Sequence, residues 1–266
     1  MSAVKEDATM SSAQHTNQAS KLVEQYYQDG VVKLPPVMSH STLLQLRNEA
    51  EALVERVKLQ EFGVSFFWGG KWLSEEEESS AIVDRIYSLE AHSAPFGKVL
   101  FDCETLLDFF EEVIGSNVQL LETTLAIKQP FSEKPVRMHQ DYPFLPHALN
   151  SPVVAMIPLD DASVENGCLR AVKGSHTLGV LPHDATGHLL PGSYSLTDGE
   201  PIEAKAGTAV VINYLTVHGG GQNHTARPRR AIVIKVRNPE DVALKNPEDA
   251  TNGLMLRGFN PLTSNN

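Results

Sequence analysis

The chain has 266 residues, 41% of them hydrophobic, enough to bury one sizeable core and too apolar for disorder over most of its length. A net charge of -11 and a pI near 5.4 argue against a general nucleic-acid or anionic-membrane surface, which would favour clustered Lys and Arg. Only two cysteines, Cys103 and Cys168, occur, which leaves no basis for a disulfide scaffold or a Cys-rich zinc site.

Met1 to Asn17 is polar and carries no apolar stretch of a secretory signal, and no run of about 18 apolar residues occurs anywhere. A cytoplasmic protein is expected, with residues 1–17 as a flexible tail, 18–245 as one domain and 246–266 as a second tail. Helical periodicity begins at Ser20, where Leu22, Val23, Tyr26 and Tyr27 share a face and Gly30 is placed to end the helix. A short apolar run, Val31 to Leu34, stops at Pro35-Pro36. Ser41 or Thr42 is positioned to cap a second helix carrying Leu43, Leu44, Leu46, Ala50, Leu53 and Val57.

The stretch from Phe62 to Ser80 gathers Phe66, Phe67, Trp68, Gly69, Gly70 and Trp72 ahead of the acidic run Glu75 to Glu78. It suits a mobile loop over a pocket, or equally a surface loop whose aromatics anchor in the core. A third helix is expected from about Glu104 to Ile114, with Leu106, Leu107, Phe110 and Val113 inward and Gly115 after its end. Then the texture changes. Short apolar segments at 118–127, 153–159, 168–172, 209–213 and 231–236 are separated by Gly, Pro, Asn and Asp. That pattern predicts a sandwich or barrel with helices placed mainly before it.

Where a strand should leave the core stands Arg137-Met138-His139-Gln140-Asp141. On a strand, positions i and i+2 lie on one side, roughly 6.6 Å apart, so His139 and Asp141 can converge on one ion. One His, one carboxylate and a distant second His make the facial triad of non-haem iron oxygenases. His-X-Asp alone arises often by chance, so context has to support it. His218 supplies the distant His, at the end of the buried run Gly207 to Asn213 and just before Gly219, Gly220 and Gly221, which allow close backbone approach.

Arg229 heads the strand 230–236, on the face of Ala231 and Val233, whose modest size leaves room for a ligand. Its planar fork suits a bidentate carboxylate. Arg230 faces the other way, with Ile232 and Ile234. Alternatively Arg227, Arg229 and Arg230 merely decorate a strand end.

Together these pieces resemble the phytanoyl-CoA dioxygenase family. The matching residues are Met138-His139-Gln140-Asp141 with Phe144-Leu145-Pro146, Glu165-Asn166-Gly167-Cys168-Leu169 leading into Lys173-Gly174-Ser175-His176, and His218-Gly219-Gly220-Gly221-Gln222-Asn223 with Arg229. Tyr27 to Val32 resembles that family's opening helix and strand. The resemblance implies a mainly β fold with flanking helices, a double-stranded β-helix or cupin-like jelly roll. It implies iron(II) held by His139, Asp141 and His218, and Arg229 bound to the far carboxylate of 2-oxoglutarate, with Gln140, Thr124 and Gly220 also contacting that cosubstrate. The reaction it implies consumes dioxygen and 2-oxoglutarate, releases succinate and carbon dioxide, and oxidises a small-molecule metabolite, most simply to an alcohol. An intact Asp141 points to hydroxylation or a related oxidation, because related halogenases leave that position open for chloride. Two other activities remain open, a jelly-roll metalloenzyme of another reaction type and a phytanoyl-CoA-like acyl-CoA hydroxylase. The expected partner is a small-molecule substrate, with neither nucleic acid nor membrane, and a homodimer is an open alternative to the monomer.

Overall fold

Helix α1 (Ser12–Asp29) closes where Gly30 donates its N–H to the Tyr26 carbonyl at 2.8 Å, and the chain turns directly into strand β1 (Val31–Pro36). The computed structural model describes residues 12–58, 83–245 and 253–263. The helix starts well before Ser20, inside the expected tail, because Ala13, Gln14, Gln18 and Ala19 favour helix without any apolar periodicity to reveal it. Helix α2 (His40–Lys58) buries Leu43, Leu46, Ala50, Leu53 and Val57, as their spacing predicts, while Leu44 faces out. Its cap is Ser39 rather than Ser41 or Thr42, since the Ser39 hydroxyl accepts the Thr42 N–H at 3.1 Å. The aromatic stretch from Phe62 to Ser80 lies outside the described residues.

Two helices went unforeseen, α3 (Leu89–His92) and α4 (Ala94–Asp102). Each is too short to show a period, although Ser93 at the cap and Pro95 in the first turn of α4 are ordinary start signals. Helix α5 (Glu104–Ile114) has the expected span and buries Leu106, Leu107 and Phe110, with Phe109 buried as well and Val113 only partly so.

The remaining strands build two antiparallel sheets. The larger runs β1, β8 (Thr208–Asn213), β5 (Val153–Pro158), β10 (Arg229–Arg237), β3 (Val118–Lys128) and β11 (Met255–Arg257), with β2 (Arg85–Tyr87) also paired to β3. The smaller runs β4 (Val136–His139), β9 (His218–Gly220), β6 (Leu169–Ala171) and β7 (Glu200–Ile202). Strand alternation sorts the side chains of the large sheet into two cores. Leu125, Ile127, Ala155, Ile157, Val211, Ile232 and Ile234 face outward beneath Leu46, Leu53, Leu106 and Phe110 of the helices. Val154, Val210 and Ile212 face inward and meet Leu169, Ala171 and Ile202 of the small sheet, with Met156 and Val233 packed against them. The result is the expected jelly roll, a curled two-sheet cup covered by helices on one side. No helix among the described residues is long and apolar enough to cross a membrane.

Candidate metal centre

Strands β4 and β9 are neighbours, and their register sets His139 directly opposite His218. The ladder is irregular between Val136 and His139, and just beyond β4 the Asp141 N–H donates to the Tyr214 carbonyl at 2.9 Å, which turns the carboxylate back toward the two rings. The imidazole Nε2 atoms of His139 and His218 each lie 3.8 Å from one Asp141 oxygen. The candidate ligand atoms of all three side chains fall within 4.8 Å of one another.

Both rings are oriented by their own strands. Nδ1 of His139 lies 2.8 Å from the Arg137 carbonyl, and Nδ1 of His218 lies 2.9 Å from the Thr216 carbonyl. A carbonyl can only accept, so in the neutral ring the proton sits on Nδ1 and the Nε2 lone pair faces Asp141. Burial first, and then the adjacent His218, push the His139 imidazole well below its ordinary range, which keeps it neutral. Burial opposes ionisation of Asp141, but neighbouring groups, Lys235 and Arg85 among them, outweigh it and hold the carboxyl below its usual value. Two imidazole Nε2 atoms and a carboxylate converging on one point are an ion's donor set.

Close approach of β9 to β4 depends on Gly219. A Cβ there would sit 2.7 Å from the Val136 carbonyl oxygen and 2.9 Å from the Met138 sulfur. At Gly220 the nearest atom would be 3.7 Å away, ordinary contact.

Facing the triad from the large sheet is a row of polar groups. Arg229 and Lys235 of β10 lie on one face with Ala231 and Val233, and across the ladder from them stand Lys128 and Glu122 of β3, with Thr124 between. Lys235 Nζ meets Glu122 at 3.0 Å, and the Thr124 hydroxyl donates to the same carboxylate at 3.0 Å. Arg229 is only 7% exposed, and its Nε and Nη1 have no hydrogen-bond partner among the described residues. Burial lowers its affinity for a proton, although no buried guanidinium gives one up readily. Its neighbour Arg230 points outward into a fork-to-fork pair with Asp160, at 2.9 Å on each arm, and reaches Glu51 at 2.9 Å.

A family model for phytanoyl-CoA dioxygenase (PhyH) matches residues 26–231. The chain belongs to the phytanoyl-CoA dioxygenase family. Among curated proteins, it is 32% identical over 141 residues to a probable alpha-ketoglutarate-dependent hypophosphite dioxygenase of Stutzerimonas stutzeri, covering 49% of each. It is 27% identical over 226 residues to the peroxisomal phytanoyl-CoA dioxygenase of Homo sapiens, covering 78% of this chain and 64% of that protein. The chain thus spans about half to two thirds of the length of these relatives. Two solved structures share its fold at 20% identity. The non-haem monooxygenase ThoJ has a TM-score of 0.69 over 90% of this chain and 84% of that one. The epimerase SnoN, solved with Fe3+, alpha ketoglutarate and nogalamycin RO, also has a TM-score of 0.69, over 86% of each.

Within this phytanoyl-CoA dioxygenase family member, the residues singled out from sequence take different places. His139, Asp141 and His218 come together, and Arg229 and Thr124 look into the same cup. Gln140, between the two β4-side ligands, faces away from them. Its amide donates to the Gly179 carbonyl at 2.9 Å and the Leu215 carbonyl at 2.6 Å, and its oxygen accepts the Leu181 N–H at 2.9 Å, which ties two loops to the triad strand. Gly220 is buried between Leu169 and Val136. Lys128, Glu122, Lys235 and His188 were missed. The first three could have been found from the period-2 row they share with Arg229 and Thr124; His188, whose ring centroid lies 6.1 Å from that of His139, is brought in by a loop and left no signal. A separate cavity of about 1460 Å³ lies outside the cup beside α2, lined by Arg47, Glu51, Asp160, Asp161, Lys205 and Arg230 among others, and those charges are already paired with one another.

Proposed function

We propose that the protein is an iron(II)- and 2-oxoglutarate-dependent dioxygenase that oxidises a small-molecule metabolite and releases succinate and carbon dioxide. The observation that carries this reading is Arg229, a buried guanidinium with no carboxylate partner among the described residues, on the wall of the same cup as the triad. A buried cation left unpaired costs several kcal/mol, of order 3–5 when its partner is missing, so a fold that keeps one is built around an anion that arrives later. The donor set fits iron(II) as well. His139, Asp141 and His218 would hold the ion, leaving coordination positions free, and the bound metal with 2-oxoglutarate supplies the activation of dioxygen.

The chain's own residues do the rest. The Arg137 and Thr216 carbonyls hold the two imidazoles in the tautomer that offers Nε2. Arg229 would take the far carboxylate in its fork and so fix the cosubstrate's reach toward the metal. Asp141 keeps the third ligand position filled, which supports hydroxylation over halogenation. Glu122 and Lys235, paired on the inner wall, favour a substrate that presents polar groups there. A jelly-roll metalloenzyme of another reaction type would have no use for an unpaired Arg229.

Arg229→Ala tests the reading. It should weaken 2-oxoglutarate binding to the metal-loaded protein by about a hundredfold, as expected for a lost charge-assisted fork, while leaving metal affinity unchanged. Equal 2-oxoglutarate affinity in calorimetry would refute it.

A further inference from the structure

Arg229 is not the one buried cation on its wall. The β3 to β10 register makes Lys128 its direct cross-strand partner, on the same inward face. Lys128 is 9% exposed. Like charges directly opposite on a ladder repel, and burial removes the water that would screen them. Among the described residues neither forms an ion pair with a carboxylate. The Lys128 ammonium donates to the Lys134 carbonyl at 3.3 Å, which satisfies one of its three N–H groups. The nearby acids are engaged elsewhere: Asp160 is held by Arg230 on the outer face, and Asp84 is bonded to Gln129.

The lysine stem also lies against a tight turn. Gly167, at φ +77°, packs so tightly that a Cβ would lie 2.8 Å from Lys128 Cδ and 2.4 Å from the Gly221 carbonyl oxygen. The turn that carries Gly167 therefore packs on the stem of Lys128, which stands opposite Arg229 in the ladder.

We propose that Lys128 is a second cation for the distal carboxylate of 2-oxoglutarate, so that the anion is held between the Arg229 guanidinium and the Lys128 ammonium. This rests on the cosubstrate reading above and deepens it. A single carboxylate with four lone-pair sites can serve both donors, and it relieves the repulsion between the two cations.

A second consequence concerns protons. Burial first, then Arg229, lower the Lys128 ammonium to about 8, with Arg85 of β2 acting in the same direction and Asp84, just ahead of β2, opposing them. These are the charged groups that act on it from the elements packed around it. Near pH 8.5 the free protein thus holds Lys128 partly neutral. An arriving carboxylate raises its proton affinity, so binding draws a proton from solvent.

The test is anaerobic calorimetry of 2-oxoglutarate into the iron(II)-loaded protein near pH 8.5, in buffers of different ionisation enthalpy. Wild type should take up a fraction of a proton on binding. Lys128→Met should bind about ten- to a hundredfold more weakly and take up none, yet melt no lower than wild type, because it removes a repulsion. Binding of 2-oxopentanoate, which has the same chain without the distal carboxylate, should be the same in both. Affinity of Lys128→Met for 2-oxoglutarate within about twofold of wild type, or the absence of proton uptake by wild type, overturns the proposal. The uptake measurement decides the matter alone if the variant does not fold. Loss of binding in Arg229→Ala with none in Lys128→Met overturns this inference and leaves the cosubstrate reading standing, whereas retention of binding in Arg229→Ala removes both.

Discussion

Arg229 and Arg230 stand side by side in the chain and are surrounded differently. Arg230 is matched by Asp160 and Glu51 and joins α2 to the sheet, whereas Nε and Nη1 of Arg229 have no partner among the described residues. Which arginine faces inward was legible from the size of Ala231 and Val233 against Ile232 and Ile234. That Lys235 pairs with Glu122, and Lys128 faces Arg229, was not, because cross-strand register links residues about a hundred positions apart and depends on the whole sheet. The largely enclosed, neutral His139 has its own signature. Its proton affinity in the folded protein lies below the ordinary value of 6.5, so the unfolded chain binds a proton that the folded one refuses. Stability is therefore fully present above that value and declines as pH falls below it. Melting temperatures of the metal-free protein should drop between pH 7 and pH 5, and less so in His139→Gln. Parallel curves for the two proteins would count against an enclosed neutral imidazole at that position.

At the scale of elements, the long strands β3 and β10 were readable because each alternates through nine or more residues, and α5 because four apolar residues mark one face. Of the strands around the metal centre, β4 and β6 fall within segments expected as strands, but β9, with three residues, is too short to show a period of its own, so His218 was placed at the end of the preceding strand when it stands in a ladder opposite His139. The same shortness makes Gly219 important. Gly219→Ala should force β9 away from β4, cost about 1–3 kcal/mol in denaturant unfolding, and weaken metal binding by displacing His218 from His139. Gly220→Ala, with room for its methyl group, should change neither metal affinity nor stability measurably. Equal metal affinity in Gly219→Ala and wild type would show that the His139 to His218 spacing does not depend on that contact.

Across the whole molecule, stability and chemistry occupy opposite faces of one sheet. The outer face and its helices supply most of the apolar burial, while the inner face carries the paired Glu122 and Lys235 together with Lys128 and Arg229, which cost stability unless an anion meets them. Ligands should therefore stabilise the fold in two steps, metal first and 2-oxoglutarate second, each by about 2.7 kcal/mol at a hundredfold excess over its dissociation constant. Thermal melts should show both increments in wild type, and Arg229→Ala should lose the second alone. The central claim is that His139, Asp141 and His218 hold iron(II) with 2-oxoglutarate beside it. Anaerobic addition of iron(II) and then 2-oxoglutarate should produce a weak visible charge-transfer band in wild type and none in His139→Ala; a folded wild-type protein that shows no band, or a His139→Ala variant that keeps it, would contradict the assignment.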